Sequence, residues 1–171
     1  AGVAGVRAGR VAHPPESWKV IRKKINKKER RLGLSSAIAA TARKDLIIKR
    51  GHSTEGIPNF PIISSDDIES ITKTRDLQKS LVAFGLANDL SRARRPKKNV
   101  KATANKGSGT THAAKSALIV VKEGSKIVRL SNSIPGVDVK TVDSLSVLDL
   151  APGSKPIRLT IFSRGSLDYL E

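Results

Sequence analysis

The chain has 171 residues, no cysteine and a formal net charge of +17 at pH 7. A chain of this length can bury a hydrophobic core without disulfide bonds or structural metals. The lack of cysteine excludes disulfide frameworks, zinc knuckles, iron–sulfur sites and thiol nucleophiles. The charge exceeds what solubility requires and favours a polyanionic partner, without indicating which polyanion.

The excess charge lies in two segments. Residues 1–50 contain 14 basic and 3 acidic residues, and residues 92–115 contain 8 basic residues and no acidic one. No apolar run approaches the roughly 20 residues that span a bilayer, and the N-terminal sequence lacks the apolar core of a signal peptide. We therefore expect a cytoplasmic protein with no membrane partner. Because methionine is absent, we also expect the chain to begin within a longer polypeptide.

Residues 1–15 predict an extended arm, since small residues supply little packing and two adjacent prolines block a helix. From Glu16 the sequence predicts a short helix and then a longer one, because Asn26 with Glu29 three residues later is typical of a capping box. The apolar stripe expected on the longer helix consists of Leu32, Leu34, Ile38 and Ala39.

The rest of the chain alternates between strand and helix patterns. Strands are predicted at 60–64, 117–122, 137–142 and 158–163. Helices are predicted from about residue 65 and at 74–84, 126–132, 144–150 and 165–170. Short connections between alternating elements favour an α/β domain with a mostly parallel sheet and helices on both faces. We expect residues 16–171 to form this single domain, interrupted by a basic loop at 92–115 that has no apolar periodicity.

No group of residues predicts catalysis. His13, His52 and His112 lie in basic or loop stretches without a paired acid at useful spacing, so neither a triad nor a metal site is indicated. The acidic pair at 66–67 precedes a helix and fits capping. The GSGTT run from Gly107 lacks the order of a phosphate-binding P-loop. We therefore predict a protein that is not an enzyme and has no cofactor, metal or small-molecule substrate.

The clustered cations indicate phosphate as the partner. Basic runs at 22–24, 27–31 and 92–98 would repel one another without counterions, and positive charge at a helix start opposes the helix dipole. Five aromatic residues do not make a stacking platform for single strands, so we expect recognition of the backbone and shape of a folded nucleic acid. Two roles stay open for Trp18, stacking on a base or packing on its own helix.

Seven motifs carry a resemblance to a known family. In chain order they are GRVAHPPESW, KKINKKERRLGLSSAIAATA, KRGH, PIISSDDIES, NSIPGVDV, LDLAPG and RLTI, from about Val6 to Ile161. In them the chain resembles the archaeal and eukaryotic branch of large-subunit ribosomal protein four, without the several dozen residues that usually precede this point. The resemblance implies a structural, rRNA-binding constituent of the large subunit that aids early assembly and contributes to the wall of the peptide exit tunnel. Neighbouring large-subunit ribosomal proteins are the other implied partners.

The resemblance also implies which residues bind rRNA. It assigns the basic residues of the arm to the returning limb of a tunnel extension, and those near residues 23–31 to its base. The KRGH segment and the second basic segment supply further contacts, although residues 100–114 contain less glycine and arginine than is usual in the family. The implied rRNA-binding residues are Arg7, Arg10, His13, Trp18, Lys23, Lys24, Lys27, Lys28, Arg30, Arg31, Arg50, His52, Arg92, Arg94, Arg95, Lys97 and Lys98.

Two other classes of protein are alternatives. A DNA-compacting chromatin protein fits the charge equally well and would bind duplex DNA without a preference for rRNA. A nucleotide-using enzyme on the same sheet would need a glycine-rich turn between a strand and a helix, and the sequence shows none.

Overall fold

The structure, a computed structural model, describes residues 3–7, 9–20, 23–94 and 114–170. Within these ranges the α-helices are Lys27–Ala40 (α1), Lys44–Arg50 (α2), Thr74–Ala83 (α3), Ala87–Arg94 (α4), Val147–Leu150 (α5) and Arg164–Asp168 (α6). The strands are Ile62–Ser64 (β1), Leu118–Val121 (β2), Asp138–Thr141 (β3) and Thr160–Ser163 (β4), and 3-10 helices span Asp66–Ser70, Lys126–Leu130 and Pro152–Ser154. All four strands lie inside their predicted ranges, whereas the helices that follow β2 and β3 are shorter than predicted.

The four strands form one parallel sheet in the order β1-β4-β2-β3. Ile161 of β4 pairs in register with Ile62 of β1 on one side and with Ile119 of β2 on the other. Every residue of β2 and β4 is buried. Parallel strands covered on both faces appear in a sequence as continuous apolar runs, which is how LIVV of β2 appears here, while in β4 the apolar pair Ile161 and Phe162 lies between two hydroxyl residues. The predicted α/β class with a mostly parallel sheet is confirmed.

Helix α3 shows how the sequence shapes the layer beside the sheet. Leu77 and Leu81 are fully buried, because residues four apart lie on one face of a helix, and burying each side chain stabilises the fold by about 1.5–3 kcal/mol. Gly85 follows with a φ of +84°. A Cβ at this position would lie 2.7 Å from the carbonyl oxygen of Gly56, so glycine permits both the turn and the close approach.

The short helix predicted from Glu16 is wrong. Residues 16–20 and 23–26 contain no helix, and α1 begins only at Lys27. Asn26 precedes it without a side-chain capping hydrogen bond, so the predicted capping box is wrong as well. Val20 and Ile25 are 79% and 69% exposed. A short helix is marginal when its apolar residues have nothing to pack against.

The apolar stripe predicted on the longer helix is half correct. Leu34 and Ile38 are partly buried against the core, and Ala37 between them is buried. Leu32 is 72% exposed and Ala39 is also exposed. The buried face of α1 is therefore narrower than the sequence predicted, and the first two turns of the helix face solvent.

Helix α4 occupies residues that were not predicted to be helical. Its last turn includes Arg92 and Arg94, so the loop predicted from residue 92 begins after residue 94. The buried residues of α4 are Leu90, Ala93 and, unusually, the carboxylate Asp89. Residues 95–113 of the predicted loop lie outside the described residues.

Candidate nucleic-acid interface

A row of exposed cations runs from residue 23 into the first two turns of α1. Lys27 and Arg31 lie four residues apart, a spacing at which like charges repel, and positive charge at a helix N-terminus opposes the helix dipole. Glu29 is the acidic residue of the first turn. The ion pairs found in the described ranges involve none of the cations in this row. An anion bound at this row would relieve both kinds of repulsion. The row, called the α1 cation row below, consists of Lys23, Lys24, Lys27, Lys28, Arg30 and Arg31.

The predicted arm is exposed where it is described. Arg7, Arg10 and His13 are all exposed, and residues 3–7 and 9–20 contain neither helix nor strand. The backbone hydrogen bonds found there are local, from the Gly9 N–H to the Val6 carbonyl and from the Lys19 N–H to the Glu16 carbonyl. These side chains are accessible to a ligand, and their contact with rRNA stays a prediction.

Trp18 is exposed and belongs to no helix. Its side chain is 77% exposed, so the alternative in which it packs on its own helix is wrong. A large ring left in solvent beside cations is available to stack on a base. Trp18 therefore belongs with the α1 cation row as a candidate contact.

Arg50, which was predicted to contact rRNA, has protein acceptors instead. Its guanidinium donates to the Pro156 carbonyl at 2.6 Å and to the Pro152 carbonyl at 3.1 Å. Burial, together with the nearby charges of Arg158 and Arg92, lowers the pKa of Arg50. Arg50 thus ties the end of α2 to the segment before β4, and the structure gives no support for its predicted role in binding RNA.

His52 is also engaged inside the protein. Its side chain is 1% exposed, and Nδ1 lies 3.2 Å from both carboxylate oxygens of Asp89. The other ring nitrogen, Nε2, is buried without a hydrogen-bond partner among the described residues. A ring buried to this extent cannot reach a phosphate in this conformation. In the structure His52 is therefore part of a buried polar cluster, and its contact with rRNA stays a prediction.

Asp89 is the centre of that cluster. Besides His52, its fully buried carboxylate accepts hydrogen bonds from the Ser53 N–H at 3.2 Å, Arg92 Nε at 2.9 Å and Ser116 Oγ at 2.5 Å. Burial alone would raise the pKa of Asp89, but the hydrogen bonds from His52, Arg92 and Ser116 outweigh it and hold the pKa well below its usual value. We call His52, Asp89, Arg92 and Ser116 the Asp89 cluster.

Arg158 forms a second buried group beside the Asp89 cluster. Its side chain is 1% exposed and contacts the Asp138 carboxylate at 2.6 Å. The guanidinium also donates to three backbone carbonyls, those of Ser116, Ala117 and Gly136. Burial would raise the pKa of Asp138, but Lys115 and Arg158 together lower it. Arg158 thus joins the start of β2 to the turn before β3.

The basic residues at the end of α4 differ in their surroundings. Arg92 belongs to the Asp89 cluster and also donates to the Lys115 carbonyl at 2.8 Å, whereas Arg94 is exposed. The predicted contacts Arg95, Lys97 and Lys98 lie outside the described residues. Of this predicted set, Arg94 is the residue that the structure leaves accessible.

Carboxylates of the protein itself occupy the edge of the sheet where α/β proteins bind nucleotides. At the carboxyl ends of the strands, Glu69 accepts hydrogen bonds from Ser163 Oγ at 2.5 Å, Ser125 Oγ at 2.8 Å and the Lys122 N–H at 3.0 Å. Asp66 accepts one from the Gly165 N–H at 2.7 Å. Negative groups with satisfied partners repel a phosphate at this edge, which argues against the nucleotide-using alternative.

A polar depression of about 480 Å³ lies beside β3. Its charged residues pair with each other: Lys115 lies 2.8 Å from Asp138, and Lys140 lies 3.6 Å from Asp149. Among the described residues no group of three or more His, Cys, Asp or Glu side chains could hold a metal ion. The charged residues that line the depression are therefore engaged with each other.

Sequence reasoning missed the buried polar residues. Asp89, Ser116, Asp138 and Arg158 were not singled out, because charged and hydroxyl residues are ordinarily exposed. The one local signal was the spacing of Asp89 and Arg92, three residues apart as helical ion pairs are. The remaining contacts join residues 20 to 42 positions apart, which spacing along a sequence does not reveal.

This α/β domain carries a row of exposed cations that have no ion-pair partner among the described residues. A basic patch of this kind defines the class of proteins that bind a large polyanion. The chain matches the model of the Ribosomal protein L4/L1 family over residues 2–171, and it belongs to that family.

Several archaeal relatives are similar along nearly the whole chain. Large ribosomal subunit protein uL4 of Methanothrix thermoacetophila is 42% identical over 100% of this chain and 67% of its own length. The protein of the same name from Methanococcus aeolicus is 37% identical over 95% of this chain and 64% of its own length, and that of Methanopyrus kandleri is 38% identical over 100% and 66%. The chain thus spans about two thirds of the length of these relatives.

None of the helices in the described ranges has the length and apolar character needed to cross a membrane.

Proposed function

We propose that this chain is a structural, non-catalytic constituent of the large ribosomal subunit in the cytoplasm. It binds rRNA through backbone phosphates, aids early assembly and contributes to the wall of the peptide exit tunnel beside other large-subunit proteins. The globular part is a platform, and the α1 cation row with the arm before it neutralises phosphate. Arg7, Arg10, His13, Trp18 and Arg94 are further candidate contacts.

The observation that carries the proposal is the α1 cation row. Six exposed cations lie within nine residues without an ion-pair partner in the described ranges. Four of them lie in the first two turns of a helix, where positive charge costs stability. Phosphate oxygens remove that cost. Membership of a family whose relatives are named as large-subunit proteins supports rRNA as the source of the phosphate.

The salt dependence of binding tests the mechanism. If about 8 to 12 phosphates are contacted, the logarithm of affinity for rRNA falls with the logarithm of salt concentration at a slope of about −6 to −11. Replacing Lys27, Lys28, Arg30 and Arg31 by glutamine removes up to four contacts. The slope should then become shallower by about 3 to 4, at about 0.9 per contact.

A matched control removes the same charge elsewhere. Arg75, Lys79, Lys126 and Arg129 are exposed cations on other elements, and their replacement by glutamine should leave the slope within about one unit of wild type. Equal effects of the two quadruple variants would contradict a localised interface. Equal binding of wild type to duplex DNA and rRNA would favour the chromatin alternative.

A further inference from the structure

Helix α3 buries one side and exposes the other. Leu77 and Leu81 are fully buried, whereas Arg75, Lys79 and Val82 are exposed. The exposed residues follow one another at steps of four and three, so they form one stripe along the outside of the helix. This stripe, called the α3 face below, consists of Arg75, Gln78, Lys79 and Val82.

The α3 face continues into an apolar groove. A shallow depression of about 550 Å³ on the helix and a groove of about 360 Å³ beside it share Ala83 as a lining residue. Val82 and Ile63, which line the two, are 47% and 59% exposed. Strand β1 lies at the edge of the sheet, and Ile63 is its exposed residue. The groove, called the Phe84 groove below, is walled by Pro58, Pro61, Ile63, Ala83 and Phe84.

The walls of the Phe84 groove are held by the fold itself. Gly85 ends α3 so close to Gly56 that a Cβ would lie 2.7 Å from the Gly56 carbonyl oxygen. The Leu86 N–H donates to the Leu81 carbonyl at 3.1 Å, which fixes the turn between them. The groove is therefore preformed, and a partner that enters it loses little affinity to ordering the protein.

The two cations of the α3 face have no ion-pair partner in the described ranges. The cations beside β3 differ, because Lys115 and Lys140 are paired with carboxylates of the protein. Arg75 and Lys79 lie four residues apart, a spacing at which like charges repel. Two carboxylates from outside the chain would relieve that repulsion.

We propose that the α3 face and the Phe84 groove form a docking surface for an acidic amphipathic helix of a partner protein. One turn of α3 separates Arg75 from Lys79 by about 6 Å along the helix axis, and two carboxylates four residues apart on a partner helix have the same separation. An apolar side chain of that helix fills the Phe84 groove. The inference goes beyond the proposed function, because this surface shares no residue with the α1 cation row.

The composition of the surface favours a protein over a nucleic acid. Interfaces with nucleic acids are polar and strongly positive, whereas residues 51–91, which supply this surface, contain three basic and six acidic residues. Exposed apolar side chains next to a groove are the anchors by which a protein recognises an amphipathic helix. Two cations are few for a phosphate backbone but match two carboxylates.

The test uses the full chain and labelled synthetic helices of about 18 residues, or five turns. The first peptide has a leucine face flanked by glutamates four residues apart. The second has lysine in place of each glutamate, and the third has the composition of the first in a shuffled order without an apolar face. The shuffled peptide is needed because a chain of net charge +17 attracts any acidic peptide.

We expect wild type to bind the glutamate peptide about tenfold more tightly than the shuffled one at about 0.15 M salt, where distant charges are screened. Arg75→Glu combined with Lys79→Glu should weaken binding about tenfold, since two attractions become repulsions. The same variant should bind the lysine peptide more tightly than wild type does. Val82→Asp should also weaken binding of the glutamate peptide about tenfold, because it places a charge at the apolar anchor.

Matched controls change equal charge and equal chemistry elsewhere. Lys126→Glu combined with Arg129→Glu reverses two exposed cations of another element, and Leu148→Asp replaces an exposed apolar residue of α5. Circular dichroism checks that every variant is folded. Both controls should bind the glutamate peptide within about twofold of wild type.

Three outcomes would overturn the proposal. The first is that wild type binds the glutamate and shuffled peptides equally, or that the Arg75 and Lys79 reversal weakens binding no more than its control. The second is that this reversal makes the salt slope of rRNA binding shallower by about two units than its control does, which would show that the face binds phosphate. The third is that wild type sediments as a dimer and Val82→Asp as a monomer, which would show that a second copy occupies the surface. The peptide measurements use no RNA, so their failure leaves the proposed function untouched.

Discussion

The guanidinium of Arg158 lies 2.6 Å from the carboxylate of Asp138, with the arginine side chain 1% exposed and the aspartate side chain 14% exposed. The same guanidinium satisfies three backbone carbonyls around it. Arginine is often the residue that binds phosphate in proteins, because its planar guanidinium can donate two parallel hydrogen bonds. This one serves the fold, because its removal would take a hydrogen-bond donor from each of the groups around it.

Replacing Arg158 should therefore destabilise the protein strongly. Arg158→Met keeps the unbranched stem of the side chain but removes the guanidinium, and with it one donor to Asp138 and to each of the three carbonyls. We expect a loss of about 3–5 kcal/mol in the free energy of unfolding. Chemical denaturation measures it. The control Arg164→Met removes an exposed arginine and should stay within about 0.5 kcal/mol of wild type. Equal stability of the two variants would contradict the buried role.

The pKa of Asp89 predicts loss of stability in acid. Since its folded pKa lies below the usual value, its contribution to stability is complete above the unfolded pKa, near 3.9. It is lost as pH falls below that value, where the unfolded state binds the proton first. Denaturation of wild type between about pH 6 and 3 should show this fall in the free energy of unfolding. In Asp89→Asn the fall should be smaller, and an unchanged pH profile would contradict the assignment.

The close approach at Gly136 can be separated from backbone strain. Gly136 and Gly153 both have positive φ, +80° and +74°, so Gly→Ala costs about 1–2 kcal/mol at either position. Only at Gly136 would the new Cβ also meet other atoms, whereas at Gly153 nothing lies within 4 Å. Gly136→Ala should therefore lower the melting temperature further than Gly153→Ala. Equal losses would mean that the contact with Ala114 and Ala93 is unimportant.

The parts of the fold that the sequence predicted are those whose signals are local. The run from Leu118 to Val121 is continuously apolar, and it forms a strand buried on both faces. Leu77 and Leu81 lie at helical spacing, and α3 extends over them. Helix α4 was missed because its buried face includes Asp89, whose burial depends on partners 27 and 37 residues away. The strand order, with β4 between β1 and β2, has no local signal either.

The candidate interface, too, could be predicted only in part from the sequence. Clustering of lysine and arginine indicated the α1 cation row, because the spacing of like charges is visible in the sequence. Arg50 and His52 were placed in the interface by resemblance alone. Their internal acceptors, the carbonyls of Pro152 and Pro156 and the carboxylate of Asp89, come from distant parts of the chain.

Charge at the start of α1 should affect folding and binding in opposite directions. Lys28→Glu places a negative charge near the helix N-terminus, which should stabilise the free protein by about 0.3–1 kcal/mol. The same change should weaken binding to rRNA, since it replaces a cation by a group that repels phosphate. Lys79→Glu makes an equal charge change at an exposed position of α3. Denaturation and binding measurements on the control should show neither the gain in stability nor a comparable loss of affinity.

Trp18 should contribute to binding and not to folding. Because its side chain is 77% exposed, Trp18→Ala should change the free energy of unfolding by less than about 0.5 kcal/mol. If the ring stacks on a base, the variant should bind rRNA about 1–3 kcal/mol more weakly. Tyr169, which is 59% exposed near the other end of the chain, supplies the control Tyr169→Ala. An equal effect of both substitutions on affinity would rule out a specific stack at Trp18.

The hydrogen bonds from Ser163 and Ser125 to Glu69 have a consequence for how this architecture can change over evolutionary time. Glu69 lies at the carboxyl ends of the strands, which is where open α/β sheets usually bind their ligands. Its carboxylate therefore occupies the place at which a fold of this class would most readily acquire a substrate site. To acquire a reaction the chain would first have to lose Glu69, and with it the three hydrogen bonds that Glu69 accepts at the ends of β2 and β4. Variation is therefore expected to collect on the exterior, where a substitution leaves these hydrogen bonds intact.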